Sequence, residues 1–239
     1  MAERAVTTGE PLAGLTAVVT GSSRGIGAAT VRALCLAGAR VAGLSRSAGS
    51  PVPNAMTIQC DLLDPVAVTK AIVAVQRELG GAPDILVNNA GVFAARLVDE
   101  TTSAEFSEML ALNLSVPFEL VRAFLPAMRS RGRGHIVTVG SIADHQALPG
   151  NAAYAASKFG ARGLHEVLRM ELAGTGVRAT LVSPAAVDTT LWDAIDPAVR
   201  STFPAREAML RAEDVADAIL YAVTRPERVA IGEIRLSKS

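Results

Sequence analysis

Residues 20–27 read Thr20-Gly21-Ser22-Ser23-Arg24-Gly25-Ile26-Gly27 and stand between an aliphatic, strand-like run over 15–20 and an apolar helical pattern over 25–39. Glycine lacks a Cβ and tolerates positive φ, so three glycines in a strand-to-helix turn let the backbone come close to a bound anion. The helix that follows presents unpaired N–H groups and the positive end of its dipole at the same point. In the first β-α unit of an alternating chain, this is where the pyrophosphate of a dinucleotide is expected.

Outward from this turn, strand-like runs and helical patterns alternate almost to the C-terminus. The spacing predicts strands over 15–20, 40–44, 56–60, 85–88, 135–139, 178–182 and 231–236. Several are unbroken Val/Ile/Leu runs, as in parallel strands covered on both faces. Helices are predicted over 25–39, 64–79, 103–114, 117–131, 152–173 and 212–223. The second opens with Asp64 as N-cap and Pro65 at its first position, and it stops at Gly80-Gly81. This is an α/β pattern: a single-domain Rossmann fold, with a doubly wound seven-stranded parallel sheet, helices on both faces and right-handed crossovers. Residues 1–11 read as a flexible N-terminal segment and 12–239 as one catalytic domain. The stretch from about 187 to 211 lacks a strand and reads as a substrate-binding loop.

Composition narrows the function. The 239 residues carry 23 Lys+Arg against 23 Asp+Glu, and zero net charge argues against a dedicated nucleic-acid binder. Six Phe, two Tyr and one Trp are too few for an aromatic platform that stacks bases or sugars. No uninterrupted apolar run reaches the ~18–20 residues that span a bilayer, and 1–11 has no apolar core of a signal peptide. Cys35 and Cys60 read as buried and reduced. His135, His145 and His165 are too scattered for a zinc site, so no metal is expected. A cytoplasmic protein without nucleic-acid or membrane partners is the expectation.

The chemistry lies in Tyr154-Ala155-Ala156-Ser157-Lys158, which holds one of two tyrosines and one of three lysines. On a helix, positions i and i+4 share a face, which brings phenol and ammonium together. A nearby cation favours phenolate and is expected to lower the tyrosine from its ordinary ~10. Tyr154 could then exchange a proton with a carbonyl or alcohol oxygen while a hydride moves. Ser141, thirteen residues earlier, follows the fifth strand at the C-terminal edge of the sheet, where its hydroxyl can hold the substrate oxygen. Asn113 sits near the end of a predicted helix, where a poor helix former reads as a local cap.

The glycine turn and the Tyr-Lys pair resemble the short-chain dehydrogenase/reductase family, whose fingerprint is Thr-Gly-x-x-x-Gly-x-Gly. Asn88-Asn89-Ala90-Gly91 after the fourth strand and Asp61-Leu62 after the third fit the same pattern, so the resemblance covers roughly three quarters of the chain. It implies a catalytic tetrad of Asn113, Ser141, Tyr154 and Lys158, with Asn113 supporting a water-linked proton relay and Lys158 also bonding the nicotinamide ribose. It further implies cofactor contacts from Gly21, Ser23, Arg24, Gly25, Ile26 and Gly27, from Asp61 and Leu62 near adenine, from Asn89, Ala90 and Gly91, and from Pro184, Val187 and Thr189 near the carboxamide.

An acidic residue ending the second strand would bind the adenosine ribose 2′-OH and repel a 2′-phosphate. Here Ser45 occupies that place, Arg46 follows it, and Arg24 is a second cation within the turn. The pair predicts NADP(H), since the arginine fork suits a phosphate. Two departures from the family pattern stand out. Ala185 replaces the glycine after Pro184, and the chain ends without the Asp-Gly-Gly tail of many sugar and acyl-carrier reductases. Loops 143–151 and 188–203 should line the substrate pocket, with His145, Gln146, Trp192 and Phe203 as candidate contacts beside Ser141 and Tyr154. Arg129, Arg131 and Arg133 form a basic surface turn.

The expected function is NADP(H)-dependent interconversion of a ketone or aldehyde with an alcohol. The substrate would be a small carbonyl compound or a 3-hydroxy acid. A 3-oxoacyl thioester on acyl-carrier protein is the alternative substrate, and a catalytically silent NADP(H)-binding regulator is the alternative of another class. By resemblance, the helices beginning near 117 and 152 pair with a partner subunit in a homodimer or homotetramer.

Overall fold

The computed structural model describes residues 9–195 and 203–239. The proposed flexible segment therefore lies largely outside the described residues; Leu12, just after it, is buried and donates its N–H to the Ala37 carbonyl. Seven parallel strands run in the order β3-β2-β1-β4-β5-β6-β7. They are β1 Thr16–Thr20, β2 Arg40–Ser45, β3 Ala55–Gln59, β4 Ile85–Asn88, β5 Gly134–Val139, β6 Val177–Pro184 and β7 Glu233–Leu236. Strand order reverses between β1 and β4, the switch point beside which open α/β sheets bind ligands. The central strands are buried throughout, whereas edge strand β3 is only partly covered.

Helices α1 Gly25–Leu36 and α6 Ala212–Thr224 cover one face through Val31, Leu34, Val215, Ile219 and Val223. Helices α2 Pro65–Leu79, α4 Val116–Ser130 and α5 Ala152–Glu171 cover the other, where Phe124 and Met128 are fully buried. The α2 boundaries follow the predicted signals. Asp64 accepts a hydrogen bond from the Val66 N–H at 2.8 Å, Pro65 opens the helix, and Gly80 closes it at φ +78°.

Three expectations change. The first concerns hand: β4→β5, β5→β6 and β6→β7 all step the same way across the sheet, yet α6 lies on the α1 face while α4 and α5 lie opposite. The last crossover therefore has the opposite hand to the two before it. The right-handed rule acts through a helix that folds straight back onto its strand, and the long excursion between Pro184 and Ala212 releases that constraint. The second concerns the two helices predicted over 103–114 and 117–131, which form one continuous helix. It consists of α3 Ser103–Leu110, a π-turn Ala111–Ser115 and α4. By length and composition this 28-residue helix is the one, among the described residues, that could cross a membrane; its apolar side chains Leu120, Val121, Phe124 and Leu125 pack on the sheet, which accounts for the composition. The third concerns the basic turn, which is tied down. Arg131 donates to the Ala82 and Pro83 carbonyls, and both Arg131 and Arg133 lie within 4 Å of Asp84.

Candidate active site

The glycine turn is shaped by contacts that no larger residue permits. Gly21 and Gly25 have φ of +66° and +55°, and a Cβ on Gly27 would stand 2.1 Å from the Gly21 carbonyl oxygen. Thr20, which closes β1, was not singled out from the sequence. Its hydroxyl accepts the N–H groups of both Asn89 and Ala90 at 2.9 Å and so locks the end of β4 to the turn. Asn89 completes the latch, its amide donating to the Thr20 carbonyl at 2.8 Å. A cavity of about 420 Å³ opens over the N-terminus of α1, lined by Ser23, Arg24, Gly25, Arg32 and Arg211 among others. These residues fit a dinucleotide diphosphate: a bare backbone, a helix N-terminus and nearby cations.

Other residues expected at the cofactor are distributed unevenly. Ser45 is buried, donates to the Ser47 carbonyl at 2.7 Å and lies 3.2 Å from the Ser22 hydroxyl, so it leaves β2 with a small neutral end. Arg46 and Arg24 are exposed, and neither forms an ion pair among the described residues. Asp61 is exposed at the end of β3. The Leu62 side chain turns into the core, so only its backbone could meet an adenine. Thr189 caps a short 3-10 turn, Thr190–Ala194, and stands against Gly25, closing the turn from the β6 side. Val187 is buried and pairs with Leu210. Ala185 needs no left-handed conformation, since Asn54 is the one non-glycine with positive φ among the described residues. The Ala185 N–H bonds Leu236, so the missing glycine costs the loop nothing.

Ser141, Tyr154 and Lys158 converge at the C-terminal edge of β5. Ser141 starts a 3-10 turn, Ile142–Asp144, and its hydroxyl accepts the Ala143 N–H at 3.1 Å. Tyr154 lies in the first turn of α5, partly buried. Lys158, one turn on, is buried and donates to the Val139 carbonyl at 2.9 Å, with Nζ 5.7 Å from the tyrosine ring centre. The expected depression of the phenol is reversed. Burial pushes Tyr154 up to about 12; a hydrogen bond with Ser141 works against that rise, and the Asp144 carboxylate adds to it. The same burial brings Lys158 down to about 8, opposed by Asp144. Removing water from each group favours its neutral form.

Asn113 is not a helix-end cap but lies buried in the π-turn. Its amide donates to the Val92 carbonyl at 3.0 Å and to the Ser157 hydroxyl at 2.9 Å, and its Oδ1 accepts the Val92 N–H at 2.9 Å. It thus ties the segment after Gly91 to α5. Pro117, four residues on, has no N–H to give to the Asn113 carbonyl, which is the local reason an α-turn fails here.

Two further groups were missed. Asp144 is fully buried and accepts from the Ser141 N–H (3.1 Å), the Ser183 hydroxyl (2.5 Å), His145 Nδ1 (2.7 Å) and the Arg162 guanidinium (2.9 Å). Arg162 reaches on to Glu233 on β7 at 2.5 Å, so one guanidinium joins α5, the Ser141 turn and β7. Asp144, His145 and Glu233 hold their ligand atoms within 4.8 Å of one another, but Arg162 already bonds both carboxylates and supplies the cation there. His145 is thereby turned onto Asp144, and Gln146 is exposed beside it. The second missed group is Phe93, whose ring centre lies 4.8 Å from that of Tyr154, 5.4 Å from Trp192 and 5.9 Å from Phe203. A small residue would have left the sequence reading unchanged, because nothing in the spacing after Gly91 marks which residue faces the phenol.

A parallel sheet with a glycine turn at its switch point and a Ser-Tyr-Lys group at the same edge defines a nicotinamide-dependent α/β oxidoreductase. The short chain dehydrogenase family model matches residues 15–200, and the chain belongs to that family. It is 35% identical over 94% of its length to the glycine betaine reductase of Emericella nidulans, but spans only 19% of that protein. An uncharacterized oxidoreductase of Staphylococcus aureus strain MW2 is 31% identical, with 91% of this chain and 94% of the relative aligned. Among solved structures, a metagenomic short-chain oxidoreductase in complex with NADP superposes with a TM-score of 0.79 at 32% identity, covering 96% of this chain and 99% of the other.

Proposed function

We propose that the chain is an NADP(H)-dependent carbonyl reductase in which Tyr154 is the general acid. The observation that carries this reading is the convergence of Ser141, Tyr154 and the buried Lys158 beside the glycine turn. When bound, a reduced nicotinamide supplies the hydride that adds to the carbonyl carbon. Tyr154 gives its proton to the carbonyl oxygen, and the Ser141 hydroxyl holds that oxygen in place. A phenol ionising at about 12 stays protonated throughout the neutral range, which suits a proton donor. Lys158, fixed by the Val139 carbonyl, places a positive charge behind the ring as oxygen charge moves onto the phenol. NADP is favoured over NAD by the neutral Ser45, by two exposed cations with no ion-pair partner among the described residues, Arg24 and Arg46, and by the bound NADP of the metagenomic relative.

The test is Tyr154→Phe with NADPH and a panel of ketones and aldehydes. General-acid catalysis contributes roughly 10²–10⁴-fold, so kcat should fall at least a hundredfold while NADPH still binds, as followed by its fluorescence. Wild-type turnover in the variant would overturn the reading.

A further inference from the structure

Aromatic residues are scarce in this chain, nine in 239, yet four of them, Tyr154 included, form one cluster around Phe93. Phe93, two residues past Gly91, packs edge-on against Tyr154 at 4.8 Å and 73°, against Trp192 at 5.4 Å and against Phe203 at 5.9 Å. Trp192 and Phe203 lie 5.1 Å apart. The four rings come from four separate segments of chain, so the cluster is assembled by the fold rather than by one helix stripe. Trp192 is held in place by its indole N–H, which donates to the Val187 carbonyl at 2.9 Å.

The described arginines on these segments are paired with carboxylates. Arg96 pairs with Glu105 at 3.0 Å, Arg206 with Asp188 at 3.0 Å and with Asp193, Arg211 with Asp214 at 3.4 Å, and His145 with Asp144 at 2.7 Å. Among the described residues, each of these side chains already faces a carboxylate of the protein. A quaternary ammonium would need several ring faces turned to one point. Here the Phe93 pairs are edge-to-face, at 65–88°, so ring edges occupy neighbouring faces and the cluster forms a wall.

We propose that this wall selects an uncharged carbonyl compound bearing an aryl or bulky apolar substituent, with Phe93 as the specificity-determining residue. This rests on the reading of the chain as a carbonyl reductase. The reaction is reduction of such a ketone by NADPH: hydride to carbon, the Tyr154 proton to oxygen, and NADP⁺ released.

Trp192 is the single tryptophan, so its emission reports occupancy of the wall without turnover. The full chain, held with NADPH so that an alcohol cannot react, is titrated with 1-phenylethanol, 3-hydroxybutyrate and choline. Half-saturation by 1-phenylethanol should come at a concentration at least tenfold below that of the other two. Phe93→Ala should raise it at least tenfold while leaving NADPH binding intact. Phe93→Leu, which keeps apolar volume and guards against loss of folding, should give an intermediate shift. Tighter binding of 3-hydroxybutyrate or of choline, or unchanged affinity in both Phe93 variants, would overturn the proposal. Acetophenone turnover is measured alongside. Selective binding without turnover would leave the wall standing and remove the reductase reading instead.

Discussion

At the scale of single residues, the cofactor preference turns on the end of β2. Ser45 is small, neutral and internally bonded, and Arg46 is exposed beside it with no ion-pair partner among the described residues. Replacing Ser45 with Asp would place a carboxylate where a ribose 2′-OH can bond it and a 2′-phosphate is repelled. The ratio of kcat/KM for NADPH over NADH should fall at least tenfold in Ser45→Asp, measured with one carbonyl substrate at fixed pH. An unchanged ratio would show that neither Ser45 nor its neighbour reads the phosphate. Sequence reasoning reached this position because strand length and chain order fix which residue ends β2. It could not reach Leu62 in the same way. That side chain joins the core cluster that holds Val68 and Ala71 of α2, a packing that chain order alone does not reveal. Nor could it give the direction of the Tyr154 shift. A spacing of four residues reveals the cation but not the burial of both groups, nor the Phe93 ring packed on the phenol and the Asp144 charge near it.

At the scale of elements, Arg162 joins α5 to the Ser141 turn and to β7. Glu233 is held down to about 2, first by its hydrogen bonds from Arg162 and then by those from Arg235. A carboxylate depressed in the folded state contributes stability above its unfolded value, near 4.5, and loses it as pH falls towards the folded value. Glu233→Gln removes the charge while keeping the shape. Its urea stability at pH 7 should lie on the order of 1–2 kcal/mol below that of the parent, a gap that narrows below pH 4.5 and closes near pH 2. A pH-independent gap would show that the amide disturbs packing rather than charge. The seven strands and most helix ends were legible because hydrophobic runs, Asp64-Pro65 and Gly80 act locally. The joined helix over Ser103–Ser130 and the reversed last crossover were not. Pro117 reads locally as a helix start, and a π-turn is chosen only when Asn113 finds Val92 and Ser157 across the fold. The hand of the β6–β7 step depends on which face α6 can cover, a property of the whole sheet.

At the scale of the molecule, the six phenylalanines divide instructively. Phe124 fills the core, Phe93 packs on the Tyr154 phenol, and Phe203 packs on Phe93. The remaining three, Phe106, Phe118 and Phe159, are 41%, 46% and 46% exposed, all on the α3–α4 helix and its neighbour α5. Those two helices are in close contact, since a Cβ on Gly160 would lie 2.8 Å from the Leu114 side chain. Large apolar rings left in water on one helical layer are the usual mark of a surface that is covered in an assembly. A closed two-fold pairing covers the same patch on both subunits. We therefore expect the 24.7 kDa chain to sediment as a dimer or tetramer at micromolar concentration. Phe118→Glu and Phe159→Glu should each shift it towards the monomer by placing a charge in an apolar contact, with the far-ultraviolet circular dichroism of the folded chain retained. Because Lys158 is buried against the Val139 carbonyl of β5 while Phe159 is exposed, dissociation should leave NADPH binding in place and lower the midpoint of thermal unfolding. A parent chain that sediments as a monomer would remove the assembly from the account and leave those three rings unexplained.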